Sequence, residues 1–302
     1  MSTLLVVGSA NADHVLTFDE LPQAGQTLIS QQYRLELGGK GANQAVAAAR
    51  LRNADQNIYF ISALGDDSNA ATMRKTWAAD GIDLSGCYEI ANQSTGTAVI
   101  FVNQHGENSI GVVPGANAYL SAQHIQQQQA LFAQADYMLI QLETPIDSVQ
   151  QALTLAKQYH CTTILNPAPA AKLSHDVLSL IDIITPNETE ALALSGIEVI
   201  DQQSASKAAE YLHQQGINIV IITLGSKGAY LSEQGQGQII PAPTVCAVDT
   251  VAAGDTFNGA LMVALDEGKS IKDAVEFANK ASSIAVTRHG AQSSIPYRKE
   301  LI

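Results

Sequence analysis

Positive charge is scarce in this sequence. Lys and Arg number 16 against 29 Asp and Glu, a formal net charge of −13 over 302 residues. A surface of that sign repels a phosphate backbone, which argues against a nucleic-acid partner. The densest basic spot, Arg50 to Arg52, holds two charges and makes no patch. Charged residues of both signs are only 15% of the chain, below the roughly 25% usual in soluble domains. Uncharged Gln, Asn, Ser and Thr carry the polarity instead. With 46% hydrophobic residues the chain reads as globular, not disordered.

Cysteine is also scarce. Cys87, Cys161 and Cys246 lie 74 and 85 residues apart, so neither a C-x-x-C motif nor a disulfide framework is present. Buried free thiols in a reducing compartment are expected. The seven histidines form no H-E-x-x-H pair, which argues against zinc. No apolar run approaches the roughly 18 residues of a membrane span. Ala10-Asn11-Ala12 has the form of a cleavage site, but the apolar run before it is only Leu4 to Val7 and no Lys or Arg precedes it. The start reads as cytoplasmic, not as a signal peptide.

Short apolar runs do recur, at Leu4–Val7, Ile58–Ala63, Tyr137–Ile140, Thr163–Leu165, Ile181–Ile184 and Ile219–Thr223. Helical stretches lie between them, at Ala42–Leu51, Asn69–Ala79, Ile146–Gln158 and Ser204–Gln215. Runs apolar throughout suit strands buried on both faces, and β alternating with α predicts a parallel sheet with helices on both sides. Two stretches break the pattern. Thr27–Leu35 alternates in character, and Thr95–Val113 reads as a hairpin around Asn103-Gln104-His105-Gly106. Both predict a small β-lid inserted near the N-terminus. Gln126–Gln129 is expected on a solvated helix face.

Ligands of open α/β sheets bind beyond the carboxyl ends of the strands, so the residues after each run matter most. Asn11 and Asp13 follow the first run and face the same way if extended, which suits polyol hydroxyls or an ordinary Asx turn. Gly38-Gly39-Lys40-Gly41-Ala42-Asn43 opens an Ala-rich helix, as a donor nest or as a hinge to the lid. It lacks the G-x-G-x-x-G spacing of a dinucleotide fingerprint. Gly268-Lys269-Ser270 resembles a P-loop tail, but Val263 stands where that motif needs glycine. Glu143 sits at a strand end. Asn187, Glu188 and Glu190 sit at a helix start, as caps or near a divalent cation. Leu224-Gly225-Ser226-Lys227-Gly228 cradles phosphates or simply joins two strands. The strongest pattern is Asp249-Thr250-Val251-Ala252-Ala253-Gly254-Asp255-Thr256, small residues leading into a helix near Asp255. Free N–H groups there hold an anion, and a carboxylate beside them suits phosphoryl transfer, unless Asp255 only caps the helix.

Together these residues resemble the ribokinase family of carbohydrate kinases, the PfkB group. Its two motifs are Gly38-Gly39-Lys40-Gly41-Ala42-Asn43 and Asp249-Thr250-Val251-Ala252-Ala253-Gly254-Asp255-Thr256, and the likeness runs from Val7 to Pro296. Gly65-Asp66-Asp67 departs from the family in having Ala70 where a glycine often follows. The resemblance implies a ribokinase-like three-layer α/β sandwich with a mostly parallel central sheet. It implies a single domain over 1–302 with lid strands inserted at about 13–37 and 94–113.

The implied activity is ATP-dependent phosphorylation of D-ribose at its 5-hydroxyl. Asp255 would be the base and Gly254 part of the anion hole. Asn11, Asp13, Gly39, Lys40, Asn43 and Glu143 would line the sugar pocket. Asn187, Thr223, Gly225, Ser226 and Gly228 would contact ATP, with Asn279 near the adenine. Glu190 would act on Mg²⁺ through water. A K⁺ site would use Asp249, Val251, Ala285, Arg288, Gly290 and Ser294. Arg288 would contribute its carbonyl, because guanidinium has no acceptor. A homodimer through the lid is also implied. Only Lys40 supplies a cation at the sugar end, which favours an unphosphorylated sugar over a sugar phosphate. The alternative is a kinase of the same family acting on deoxyribose, adenosine or a keto-deoxy sugar acid. A non-catalytic sensor on this fold would be expected to lose Gly254 or Asp255, and both are present.

Overall fold

A computed structural model describes residues 1–105, 107–233 and 235–301. Its large sheet is built on β1 (Ser2–Val7), whose side chains alternate between two layers. Leu4 and Val6 enter one apolar cluster and Leu5 and Val7 the other, all buried. A run of this kind cannot leave either face to water, so helices cover both. Each fully buried aliphatic side chain here contributes roughly 1.5–3 kcal/mol.

The strands after β1 are β2 (Asn11–Thr17), β3 (Gln32–Gly38), β4 (Gln56–Gly65), β5 (Ile82–Asp83), β6 (Cys87–Ile90), β7 (Gly96–Val102) and β8 (Asn108–Val113). Then come β9 (Tyr137–Ile140), β10 (Thr162–Leu165), β11 (Ile183–Ile184), β12 (Ile219–Thr223), β13 (Ala229–Glu233) and β14 (Gln236–Ile240). The large sheet runs β14-β13-β12-β11-β10-β9-β1-β4-β5, with β6 also on β4. It is parallel except for β13 and β14. Helices α1 (Lys40–Leu51) and α2 (Ser68–Ala79) cover one face, while α3 (Ala122–Gln127), α4 (Gln129–Phe132), α5 (Ile146–Gln158), α6 (His175–Leu178), α7 (Glu188–Ser195) and α8 (Gln202–Gln214) cover the other. Helices α9 (Ala253–Asp266) and α10 (Ile271–Ala285) return to the first face. This is the three-layer α/β sandwich with a mostly parallel central sheet that the alternation predicts.

The second sheet, β3-β2-β7-β8, is the small lid. Its bounds differ from the sequence reading. Thr27–Ser30 lies in no strand, and β3 begins only at Gln32. β2, continuing from β1, supplies the strand that the polar residues at Asn11 and Asp13 had concealed. The turn expected at Asn103–Gly106 includes Gly106, outside the described residues. Asp67 anchors the lid to the body: it caps α2 by accepting the Ala70 N–H at 2.9 Å, and it also accepts the Thr95 N–H at 2.7 Å and Oγ1–H at 2.8 Å. Ala70 therefore serves this cap as well as a glycine would.

Two further expectations change. The Gln tract is solvated, but Gln128 breaks the helix, separating α3 from α4. Of the three free thiols only Cys161 belongs to a buried residue; Cys87 is half-buried and Cys246 exposed, in the loop before α9. Burial pushes the Cys87 and Cys161 thiols up to about 12.

Candidate active site

The carboxyl ends of β1, β9, β10, β11 and β12 face the N-termini of α1, α7 and α9. The close approach of α1 depends on Gly39. Its φ is 88°, and a Cβ there would stand 2.7 Å from Ala10 Cα and from Asn11 N. No side chain fits. Glu143, beyond β9, then locks the turn: its Oε2 accepts Ser9 Oγ–H at 2.6 Å and the Lys40 N–H at 3.0 Å.

On β2, Asn11 and Asp13 point to the same face and are buried, as their spacing predicts. Asn11 Oδ1 accepts Asn117 Nδ2–H at 2.8 Å. Asp13 Oδ1 is buried and has no hydrogen-bond partner among the described residues. A buried acceptor without a partner costs about 1–3 kcal/mol, so this oxygen is poised for a donor from outside. Burial, then Glu143, Glu36 and Asp255, raise the Asp13 carboxyl to about 7 against the pull of Lys40.

Asp255 lies in the first turn of α9 and is 8% exposed. Asn43 Nδ2–H donates to its Oδ2 at 3.0 Å and Gln44 Nε2–H to its Oδ1 at 2.9 Å. Burial raises its pKa; Lys40, Asn43 and Gln44 work against that rise and favour the ionised form. Lys40 supplies the nearest positive charge acting on it, without a direct ion pair among the described residues. Burial works against its charge, yet Asp255, Glu143, Glu190 and Asp13 outweigh burial and hold its pKa above the ordinary value.

Ahead of Asp255 the chain turns through Ala252, at φ 59°, with no side-chain cap. The N–H groups of Gly254 and Asp255 therefore have no hydrogen-bond partner among the described residues. They open into a cavity of about 210 Å³ that Lys40, Asn187, Glu190, Thr223, Gly254 and Asp255 help to line. Two directed N–H groups, a helix N-terminus and a buried carboxylate can receive a hydroxyl proton and hold an anion side by side.

The other expected residues fall as follows. Asn187 and Glu190 form a capping box on α7: Asn187 Oδ1 accepts the Glu190 N–H at 2.8 Å, and Glu190 Oε2 accepts the Asn187 N–H at 2.9 Å. Glu190 is buried and lines the cavity, whereas Glu188 is exposed. Thr223 pairs with Asn187 as a short extension of the sheet. Gly225 and Ser226 form an exposed turn after β12, and Gly228 closes it with φ 98°, where a Cβ would meet the Ile240 carbonyl at 2.1 Å. Asn279 does not line this cavity; it is buried on α10 and donates Nδ2–H to the Ile240 carbonyl at 3.0 Å.

Asp249 gathers part of the expected cation set. Its Oδ1 accepts the Val251 N–H at 3.0 Å, its Oδ2 the Gly290 N–H at 3.0 Å, and its own N–H reaches the Val286 carbonyl beside Ala285 at 3.2 Å. The Ala285 carbonyl accepts the Arg288 N–H at 3.0 Å, and the Arg288 side chain turns away to Glu300. Ser294 is fully buried, its hydroxyl donating to the Ala291 carbonyl at 2.8 Å.

Several site residues have no counterpart in the sequence reading. Gln44 Oε1 accepts Gln141 Nε2–H at 2.6 Å, and Gln44 Nε2–H also reaches Asn166 Oδ1 at 3.0 Å. Thr185 Oγ1–H donates to Asn258 Oδ1 at 2.6 Å, and Asn258 Nδ2–H to the Gly254 carbonyl at 2.8 Å. Gln44 was within reach, being adjacent to Asn43 in the glycine motif. Gln141, Asn166 and Thr185 are single polar residues just past strand ends with no local pattern around them, and Asn258 lies one turn into α9 beyond the Asp255 motif.

A buried carboxylate beside the open N-terminus of α9, on a sheet with helices on both sides, is an arrangement that suits a phosphotransferase. The chain belongs to the pfkB family of carbohydrate kinases, whose pattern matches residues 1–298. It is 50% identical to a ribokinase of Haemophilus influenzae over 99% of this chain and 97% of that one. A deoxyribokinase of Salmonella typhi is 33% identical, over 97% and 95%. The structure of an Arabidopsis thaliana ribokinase complexed with ribose and ATP superposes with a TM-score of 0.93 at 34% identity, over 100% and 98%.

Proposed function

We propose that this kinase transfers the γ-phosphoryl group of ATP to the 5-hydroxyl of D-ribose. The observation that carries the reading is the buried Asp255 carboxylate beside the unpartnered N–H groups of Gly254 and Asp255. The 5-hydroxyl donates to Asp255, which takes its proton as the oxygen attacks the γ-phosphorus. The bond from that phosphorus to the leaving ADP oxygen breaks. The N–H groups of Gly254 and Asp255 and the α9 N-terminus hold the charge on the moving phosphoryl. The likeness to ribokinases supports ribose, as does the orphan Asp13 Oδ1 beside Asn11, an acceptor for sugar hydroxyls. Gly39, Lys40, Asn43 and Glu143 shape that pocket. Asn187, Thr223, Gly225, Ser226 and Gly228 lie toward the ATP side, and Asn279 holds the loop beside it.

Magnesium suits this site only through water. No group of three metal-ligating side chains occurs among the described residues, and the Glu190 oxygens already accept bonds from Asn187. Mg²⁺ keeps several of its waters, so Glu190 would hold it at that remove. When bound it neutralises charge on the phosphate oxygens. The carboxylate of Asp249, the carbonyls of Val251, Ala285, Arg288 and Gly290, and the Ser294 hydroxyl are hard oxygen donors that suit K⁺. Asp249 already ties Val251 to Gly290.

The two sheets read as one domain of 1–302, and the lid as its dimer contact. Tyr33 and Leu35 are exposed on one lid face, Ile110 and Val112 on the face that Asp13 shares. A second lid would bury such residues. ATP as substrate and three free thiols support a cytoplasmic setting. No described helix is long and apolar enough to cross a membrane. ATP consumption over ribose, deoxyribose, adenosine and sugar phosphates, with and without K⁺, tests the reading. Ribose with K⁺ is expected to be fastest. Preference for a sugar phosphate or a nucleoside would overturn the substrate, and equal rates in K⁺, Na⁺ and tetramethylammonium would remove the monovalent site.

A further inference from the structure

Two amides orient Asp255: Gln44 is held by Gln141, and Asn43 has a longer relay behind it. Asn43 gives its Nδ2–H to Asp255 Oδ2 at 3.0 Å, while its Oδ1 accepts Gln292 Nε2–H at 3.2 Å. Gln292 Oε1 in turn accepts Trp77 Nε1–H at 3.0 Å. Trp77 is fully enclosed, and Gln292 and Asn43 are buried. The oxygen and nitrogen ends of an amide are nearly equal in shape, so packing alone does not decide which end faces a neighbour. Turned about, Asn43 would set its oxygen against Asp255 and repel the charge a base must carry.

An indole N–H can only donate. It therefore holds Gln292 with Oε1 toward Trp77 and Nε2 toward Asn43. Asn43 must then accept on Oδ1, which leaves its Nδ2 for Asp255. We propose that Trp77 and Gln292 are positioning residues for phosphoryl transfer, a one-way donor relay that fixes the Asn43 amide and through it the hydrogen bond orienting Asp255. The inference rests on Asp255 as base. Neither residue lines the cavity. Arg50 anchors both ends of the relay: its Nη1 donates to the Gln292 carbonyl at 2.5 Å, and its Nη2 pairs with Asp80, at the end of Trp77's helix, at 3.0 Å. Packing of the Trp77 ring on Phe60, edge to face at 5.5 Å, explains the ring but not the direction of its N–H.

Gln292→Met keeps the length of the side chain and removes both the donor and the acceptor. The expected result is a kcat lower by about tenfold, the effect of losing one hydrogen bond to a charged group. KM for sugar and for ATP is expected to stay within about twofold, so the loss falls on the transition state. In an Asn43→Ala background the same substitution is expected to lower kcat no further, because the relay acts only through Asn43. Trp77 is the sole tryptophan. Its emission and shielding from acrylamide report whether the variant is folded. If Gln292→Met does not fold, Gln292→Glu, which keeps the acceptor for Trp77 and loses the donor to Asn43, carries the same test. An unchanged kcat, or an equal loss in both backgrounds, overturns the relay. Asp255→Asn is assayed alongside. Activity retained there sinks the base itself, whereas an inactive Asp255→Asn with a fully active Gln292→Met sinks only the relay.

Discussion

At the amino ends of β9, β10 and β12 lies a concavity of about 450 Å³ bordered by Tyr137, Lys157, His160, Asp182 and Ile219. The one at the carboxyl ends, beside Asp255, is about 210 Å³. In the larger hollow the charged groups are matched: Lys157 pairs with Asp182, whose other oxygen accepts the Thr163 N–H and hydroxyl at 2.9 Å. In the smaller one, Lys40 faces several carboxylates, and the Gly254 and Asp255 N–H groups find no partner among the described residues; Asp13, outside its lining, keeps an orphan oxygen. Unfinished hydrogen bonding, not volume, distinguishes the end proposed to meet substrate.

The sharpest way to break this comparison is Asp255→Ala, with Asp182→Asn as its counterpart at the other end. Steady-state kinetics should show kcat down by at least about 10²-fold for Asp255→Ala, the low end for a positioned base. A variant with full turnover at saturating substrates would remove the base. The pH dependence of Asp13 comes next. Folding raises its carboxyl from 3.8 to about 7, so the folded chain holds a proton that the unfolded chain has lost. That contribution to stability is whole below about pH 4 and is lost as pH rises toward 7. Asp13→Asn should flatten this slope in the ligand-free protein, a gain on the order of 4 kcal/mol over the parent at pH 8, read by urea unfolding at both ends of the range. Parallel profiles would contradict the burial argument.

Gly254→Ala follows. A Cβ at Gly254 meets no protein atom within 4 Å, so the melting temperature should hold. The methyl intrudes only on what binds there, and kcat should fall about tenfold or more. Unchanged turnover would move the anion site elsewhere. Smallest is Asp182→Asn, which should cost up to about 1 kcal/mol of stability by loss of a partly exposed ion pair while kcat stays within about twofold. A large loss of kcat there would erase the distinction between the two ends.

Much of the fold was legible because its strands are buried on both faces. Tyr137–Ile140 and Ile219–Thr223 coincide with the observed strands to the residue. The lid was less legible. β2 carries the polar Asn11, Asp13 and His14, and the alternation at Thr27–Ser30 belongs to a loop. Of the site, Asp255 and Gly254 were readable because a helix start needs small residues nearby in sequence. Gln292 was not, and Gln44, though next to Asn43 in the glycine motif, was not assigned a role. Gln44 touches Asp255 across 211 positions and Gln292 touches Asn43 across 249, and such pairings come from the packing of α1 against α9 and the 286–296 segment, not from any local pattern.

β2 leaves the body as Asn11 and ends in the lid at Thr17. Of the residues proposed to meet the sugar, Asn11 and Asp13 thus ride on the small sheet, while Lys40, Asn43, Glu143 and the proposed base Asp255 stay with the body. Two of the proposed sugar contacts can therefore be altered on the small sheet without touching the turn that carries Gly254 and Asp255.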